Sequence, residues 1–227
     1  MMPPAPLLTD YLREKTSPDI AATIGGIAAA AVDIGLTLRF PDVALDVPSG
    51  GTNTDGDTQK ALDVVADDYI LARLAGTSVV SYLSEEREAL VPVDRQGSLI
   101  VACDPLDGSS NIGVNMSVGT IFSIFPAVGG PLQPAVNLLA AGFFVYGPET
   151  TLLLTVGRGA ASFRMIKAGV FQMISDEVLI PTTSNEFAIN PEQESFARTD
   201  ELASSSIDLK VLCYTDPVGL TDFSKIK

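Results

Sequence analysis

The sequence predicts an α+β fold, with mixed α/β layers and a largely antiparallel sheet packed against helices. Three observations carry this. Two segments near the N-terminus, Thr9–Thr37 and Thr58–Leu74, place apolar residues at helical spacing. From Val118 onward the chain instead runs through short apolar, loosely alternating stretches separated by Gly and Pro. No internal repeat is visible. Helices gathered at one end and strands at the other form layers of mixed type rather than βαβ units.

In order, Thr9–Thr37 is expected to be helical but broken at Gly25-Gly26, giving two helices or one kinked helix. Phe40–Gly56 is turn-rich, with Pro48–Asn53 as a mobile loop. Thr58–Leu74 is a helix whose apolar face includes Ala61, Leu62, Val65 and Tyr69, and Asp57 can act as its N-cap. Ser78–Leu83 and Leu99–Cys103 are strand-like runs, the second bounded by Pro105 and Gly108. Val118–Phe125 alternates as a strand. Ala135–Phe144 is expected to begin as a buried helix and pass into a strand near Gly142. Thr151–Val156, Ala161–Ile166 and Val170–Ile174 are further strands, with a hairpin at Arg158-Gly159.

Composition excludes several classes. The 227 residues include 46% hydrophobic ones and carry a net charge of −14, so disorder is disfavoured and nucleic acid is not an expected partner. Histidine is absent, which rules out a Ser-His-Asp triad, a His-Glu-x-x-His zinc site or a phosphohistidine within these residues. Carboxylate-plus-metal chemistry passes that filter. The two cysteines, Cys103 and Cys213, form no Cys-x-x-Cys; Cys103 reads as a small buried hydrophobe in a reduced, cytoplasmic setting. No targeting segment is evident. The stretch from Gly108 to Pro148 lacks charge, but Pro126, Gly129, Gly130, Pro131 and Pro134 cut it into pieces too short to span a membrane, which takes about 20 residues.

The informative segment is Asp104-Pro105-Leu106-Asp107-Gly108-Ser109-Ser110-Asn111. Two carboxylates three apart at a strand end, with the Leu106 carbonyl between them, are hard oxygen donors of the kind Mg²⁺ prefers. Gly108, Ser109 and Ser110 follow with small donors and backbone N–H groups that can cradle a phosphate. The same residue types also dominate ordinary turns, and composition alone leaves both readings open. The Ser84-Glu85-Glu86 run at the end of another strand-like stretch favours the metal reading, because adjacent acids repel unless they are solvated or share a cation.

Asp57 with Asp63, then Ser84-Glu85-Glu86, Asp104–Asn111 and Ser117-Val118-Gly119-Thr120-Ile121-Phe122, in this order, resemble the class I fructose-1,6-bisphosphatases. These belong to the lithium-sensitive, magnesium-dependent sugar and inositol phosphatases. The resemblance runs from about Leu7 to Asn190. It implies a metal- and phosphate-binding N-terminal domain over 1–190. Glu85, Asp104, Asp107 and the Leu106 carbonyl would hold Mg²⁺, two or more ions per site, with Mn²⁺ able to substitute. Asp57, Asp63 and Glu86 would be catalytic, Asp63 and Glu86 helping to deprotonate the attacking water. Asp107, Gly108, Ser109, Ser110 and Asn190 would contact substrate. Paired metals in such a site clamp the attacking and leaving oxygens, at about 3.5–4 Å separation.

The implied reaction is hydrolysis of the 1-phosphate of fructose 1,6-bisphosphate to fructose 6-phosphate and phosphate, in gluconeogenesis or the Calvin cycle, by a cytoplasmic homotetramer without membrane or nucleic-acid partners. Sedoheptulose bisphosphate or an inositol phosphate is the alternative substrate; a metal-binding fragment without turnover is the alternative to an enzyme. Residues 191–227 depart from the family's pattern, which continues with a second α/β domain carrying sugar-binding tyrosines, a Lys and an Arg for the 6-phosphate and a further metal-ligating Glu. A truncated chain, poor in turnover, is therefore expected. The family's AMP site uses a Lys-Tyr pair where this chain has Ser98 and Leu99, so inhibition by AMP through that site is not expected.

Overall fold

The structure is a computed structural model that describes residues 5–40 and 55–179, apart from the side chains of 55–60. Among the described residues, three helices precede and cover one eight-stranded sheet. Helix α1 spans Leu8–Lys15 and α2 Pro18–Arg39. The expected break at Gly25-Gly26 does not occur there. It falls at Thr16-Ser17, where Ser17 caps α2 by accepting a hydrogen bond from the Ile20 N–H, and Pro18 opens the helix. Gly26 serves packing instead: a Cβ there would lie 2.8 Å from the Arg73 carbonyl oxygen, so its absence lets α2 and α3 (Asp55–Leu74) approach closely. Because α3 already includes Asp55, Asp57 lies within its first turn rather than at its N-cap.

The strands are β1 (Val79–Ser84), β2 (Val91–Pro92), β3 (Leu99–Asp107), β4 (Val118–Pro126), β5 (Ala140–Tyr146), β6 (Thr150–Thr155), β7 (Ala161–Lys167) and β8 (Val170–Ser175). Their order in the sheet is β2-β1-β3-β4-β5-β6-β7-β8. Every neighbouring pair is antiparallel except β1 and β3, which run parallel. The largely antiparallel sheet packed against helices is thus observed. The buried helix expected from Ala135 is not: Ala135–Asn137 is a single 3-10 turn, and β5 begins at Ala140. The consecutive Phe143, Phe144, Val145 and Tyr146 favour the extended chain there.

On β4 the buried residues Val118, Thr120, Phe122 and Ile124 repeat with the strand's period of two and face the helices. They join Ile24, Ile27 and Ile34 of α2 and Leu62, Ala66 and Ile70 of α3 in one core. By length and composition α2 is the one helix among the described residues that could cross a membrane. In this structure its Ile24, Ile27, Ala30 and Ile34 are buried in that core. At the outer edge of the sheet, Leu7 bridges Gln172, and the Met173 N–H donates to the Pro6 carbonyl at 2.9 Å.

Candidate active site

The parallel pairing of β1 with β3 brings their C-terminal ends side by side, Ser84 opposite Cys103. The chain leaves β1 through Glu85, whose N–H donates to the Cys103 carbonyl at 3.1 Å. The next residue on β3 is Asp104. Strand β3 does not end at Cys103; it continues to Asp107 with a bulge between Asp104 and Asp107 opposite Ile121 and Gly119 of β4. The bulge accommodates Pro105, which has no N–H to give to a ladder. Thr120, fully buried, donates to the Pro105 carbonyl at 2.7 Å and shares a second 2.7 Å hydrogen bond with the Tyr146 hydroxyl. The Leu106 N–H donates to Asp104 Oδ1 at 3.2 Å.

Gly108 then turns the chain with φ +76°, a conformation that favours glycine, into a short 3-10 helix, Ser109–Val114. Ser109 Oγ donates to Asp63 Oδ2 of α3 at 3.3 Å. Asp63 Oδ1 is buried and has no hydrogen-bond partner among the described residues. A buried carboxylate oxygen without a partner is costly unless a water or an ion completes it.

The electrostatics follow from this crowding. Asp104 is half-buried, and its pKa is pushed up to about 8, first by burial, then by the charge of Glu85 and a hydrogen bond with it, then by Asp107. Asp63 is raised as well, by burial and the charge of Glu85, against the lowering hydrogen bond from Ser109. Asp107, Glu85 and Glu86 are exposed. Burial pushes the Cys103 thiol up, as expected of a core cysteine.

The structure therefore brings together Asp63, Glu85, Asp104, Asp107, Leu106 and the Gly108–Ser110 turn. Glu86 follows Glu85 on the same turn, its N–H donating to Ser84 Oγ at 3.2 Å. The Asp57 side chain, Asn190, Cys213, the Pro48–Asn53 loop and the 191–227 segment lie outside the described residues. Among the described residues no three acidic or thiol side chains converge tightly enough to hold an ion as they stand. The donor set nevertheless fits a hard divalent cation: oxygen ligands only, two carboxyls raised first by burial and then by the charge of Glu85, and one orphaned carboxylate oxygen at the rim.

Sequence reasoning missed four residues that frame the site: Tyr82 on β1, Asp67 and Asp68 on α3, and Arg87 after Glu86. Asp67 is buried, accepting from the Tyr82 hydroxyl at 2.8 Å and from Arg87 Nε. The only signal in the sequence was its place one helical turn after Asp63. A cavity of about 730 Å³ lies away from these carboxylates, lined by residues of α2 and the C-terminal half of α3, including Asp33, Phe40, Tyr69 and Arg73.

A family model described as the N-terminal domain of fructose-1-6-bisphosphatase matches residues 19–176. A class 1 fructose-1,6-bisphosphatase of Rhizobium meliloti (strain 1021) is 46% identical over 185 residues, 77% of this chain and 53% of that protein. One from Cereibacter sphaeroides is 43% identical over 180 residues, 77% of this chain and 54% of that protein. Among solved structures, Leishmania major fructose-1,6-bisphosphatase in its holo form superposes with a TM-score of 0.68 at 27% identity, covering 80% of this chain and 58% of that one. The chain spans about half the length of the curated relatives it matches.

Proposed function

The chain belongs to the fructose-1,6-bisphosphatase family, and we propose that residues 1–190 form its metal- and phosphate-binding domain, acting on the 1-phosphate of fructose 1,6-bisphosphate. The observation that most supports this is the buried, partnerless Asp63 oxygen beside Ser109, next to the Glu85–Asp104–Asp107 group. Family membership implies dependence on a divalent metal in general. We assign it here as Mg²⁺, with Mn²⁺ as a substitute, held by Glu85, Asp104, Asp107 and the Leu106 carbonyl, with Asp57 near it. When bound, the cation supplies Lewis-acid stabilisation of charge on the phosphoryl oxygens.

The chain's own residues do the rest. Gly108, Ser109 and Ser110 offer N–H and hydroxyl donors to the phosphate, and Asn190 contacts the substrate. Asp63, its pKa raised by burial, accepts the proton of the attacking water, with Glu86 assisting. Such a base contributes roughly 10²–10⁴-fold to rate. The water oxygen bonds to phosphorus as the bond from phosphorus to the C1 oxygen breaks; that oxygen takes a proton, giving fructose 6-phosphate and inorganic phosphate. We place the protein in the cytoplasm and its assembled form as a homotetramer.

The test is phosphate release by residues 1–227 on fructose 1,6-bisphosphate, sedoheptulose bisphosphate and an inositol phosphate, with and without Mg²⁺. We expect Mg²⁺-dependent release that prefers the fructose substrate, at a kcat/KM well below that of a full-length relative. Release independent of metal, or a preference for either other substrate, overturns the assignment.

A further inference from the structure

The three pieces of backbone that carry the proposed cation site are not equally tied together. The ends of β1 and β3 are locked by their ladder, so Glu85 and Asp104 keep a fixed spacing. Ser109 ties the phosphate turn to α3 through Asp63. Among the described residues, a cluster of three side chains on α3 and β1 with Arg87 connects the Ser84–Arg87 turn to α3. Arg87, whose N–H closes that turn on the Ser84 carbonyl at 3.3 Å, sends Nε to Asp67 Oδ2 and Nη2 to Asp68 Oδ1 at 2.7 Å. The other oxygen of Asp67 accepts from Tyr82, a fully buried residue of β1 two positions before Ser84. The Asp67 side chain is 2% exposed.

A carboxylate buried to that degree is expensive for a helix that needs only to pack on a sheet, and apolar residues would fill the space at lower cost. Both of its oxygens, however, hold parts of the segment that presents Glu85. Asp67 also lies one helical turn from Asp63, on the same face of α3. Glu85 is exposed on that turn, and the Arg87 fork ties the turn to Asp67 and Asp68 of α3. A guanidinium is required for this, since only a planar fork reaches two carboxylates at fixed angles. We propose that Asp67 is a positioning residue of the cation site: with Arg87 and Tyr82 it holds the turn that presents Glu85 against α3, beside Asp104. This rests on the reading that Glu85, Asp104 and Asp107 hold a divalent cation.

The experiment is calorimetric titration of the full 227-residue chain with Mg²⁺ and separately with Mn²⁺, at a temperature where circular dichroism shows each variant folded. Arg87→Lys keeps the charge but reaches a single carboxylate; Asp67→Asn removes the centre of the cluster. Each is expected to weaken cation binding by about 10–100-fold, the usual effect of losing an outer-shell partner. Arg164→Lys, altering a remote pair with Glu149, serves as the control and stays within twofold. Should Asp67→Asn not fold, Arg87→Lys and Asp68→Asn, both at the exposed end of the cluster, carry the test. A folded Arg87→Lys chain with parental affinity overturns the positioning role and leaves the metal assignment standing. A parent chain that binds neither cation overturns both.

Discussion

Titrating the chain with Mg²⁺ at pH 7 is expected to expel about 0.9 proton per cation site, the protonated fraction of a group with a pKa of about 8. The proton belongs to the Asp104–Glu85 pair, which burial and mutual repulsion prevent from ionising fully. The folded pKa is raised above the unfolded one. The stability it contributes to the cation-free protein is therefore fully present below the ordinary Asp value of 3.8 and is lost as pH rises through about 8. A cation removes that dependence by taking the proton's place. Its dissociation constant should fall nearly tenfold per pH unit between about 6 and 7, and level off above about 8.5. Absence of histidine keeps this window clear of the residues that usually titrate there. Calorimetry in two buffers of different ionisation enthalpy counts the protons directly. A binding heat that does not depend on the buffer, or an affinity flat from pH 6 to 9, refutes the reasoning.

Two substitutions extend the test to the site and to the helix layer. Asp107→Asn should blunt the rise in melting temperature that Mg²⁺ gives the parent, a stabilisation of about 2.7 kcal/mol at a hundred times Kd; equal rises in both chains would remove Asp107 from the ligand set. Gly26→Ala should destabilise by about 1–3 kcal/mol in urea unfolding, because the added Cβ meets the Arg73 carbonyl oxygen at 2.8 Å. Its neighbour Gly25→Ala meets nothing within 4 Å and should stabilise by about 0.5–1 kcal/mol, so a shift of the same sign in both would refute the close-packing account.

The strands were legible because Val118–Phe125 and its successors alternate, and alternation is a local property of extended chain against a half-buried face. Helix boundaries were legible too, but the wrong signal was weighted: two glycines suggested the break, while Ser17-Pro18, a cap followed by proline, marked it. Two-residue β2 carries no periodicity to detect. In the site, the carboxylates and the glycine-serine turn announced themselves as types of residue in a row. What could not be read was the Tyr82–Asp67–Arg87 cluster: its partners are 15 and 20 residues apart and meet only after α3 has docked on β1. Nor could the orphaned oxygen of Asp63 be read, since it depends on what the fold buries.

The segment Ala5–Leu7, ahead of α1, has a consequence for how the protein behaves among its own copies. An open sheet has two unsatisfied margins, and each is a template on which another chain can add a strand. At one margin β2 offers only two residues, one of them Pro92. At the other, β8 presents Val170–Ser175, and there the backbone groups of Pro6 and Leu7 already take up the positions beside Gln172 and Met173. Clipping the chain before Leu8 would strip that guard from a six-residue edge containing Val170, Phe171, Met173 and Ile174. The trimmed protein would then be prone to stacking edge to edge into aggregates, with its Glu85, Asp104 and Asp107 carboxylates untouched.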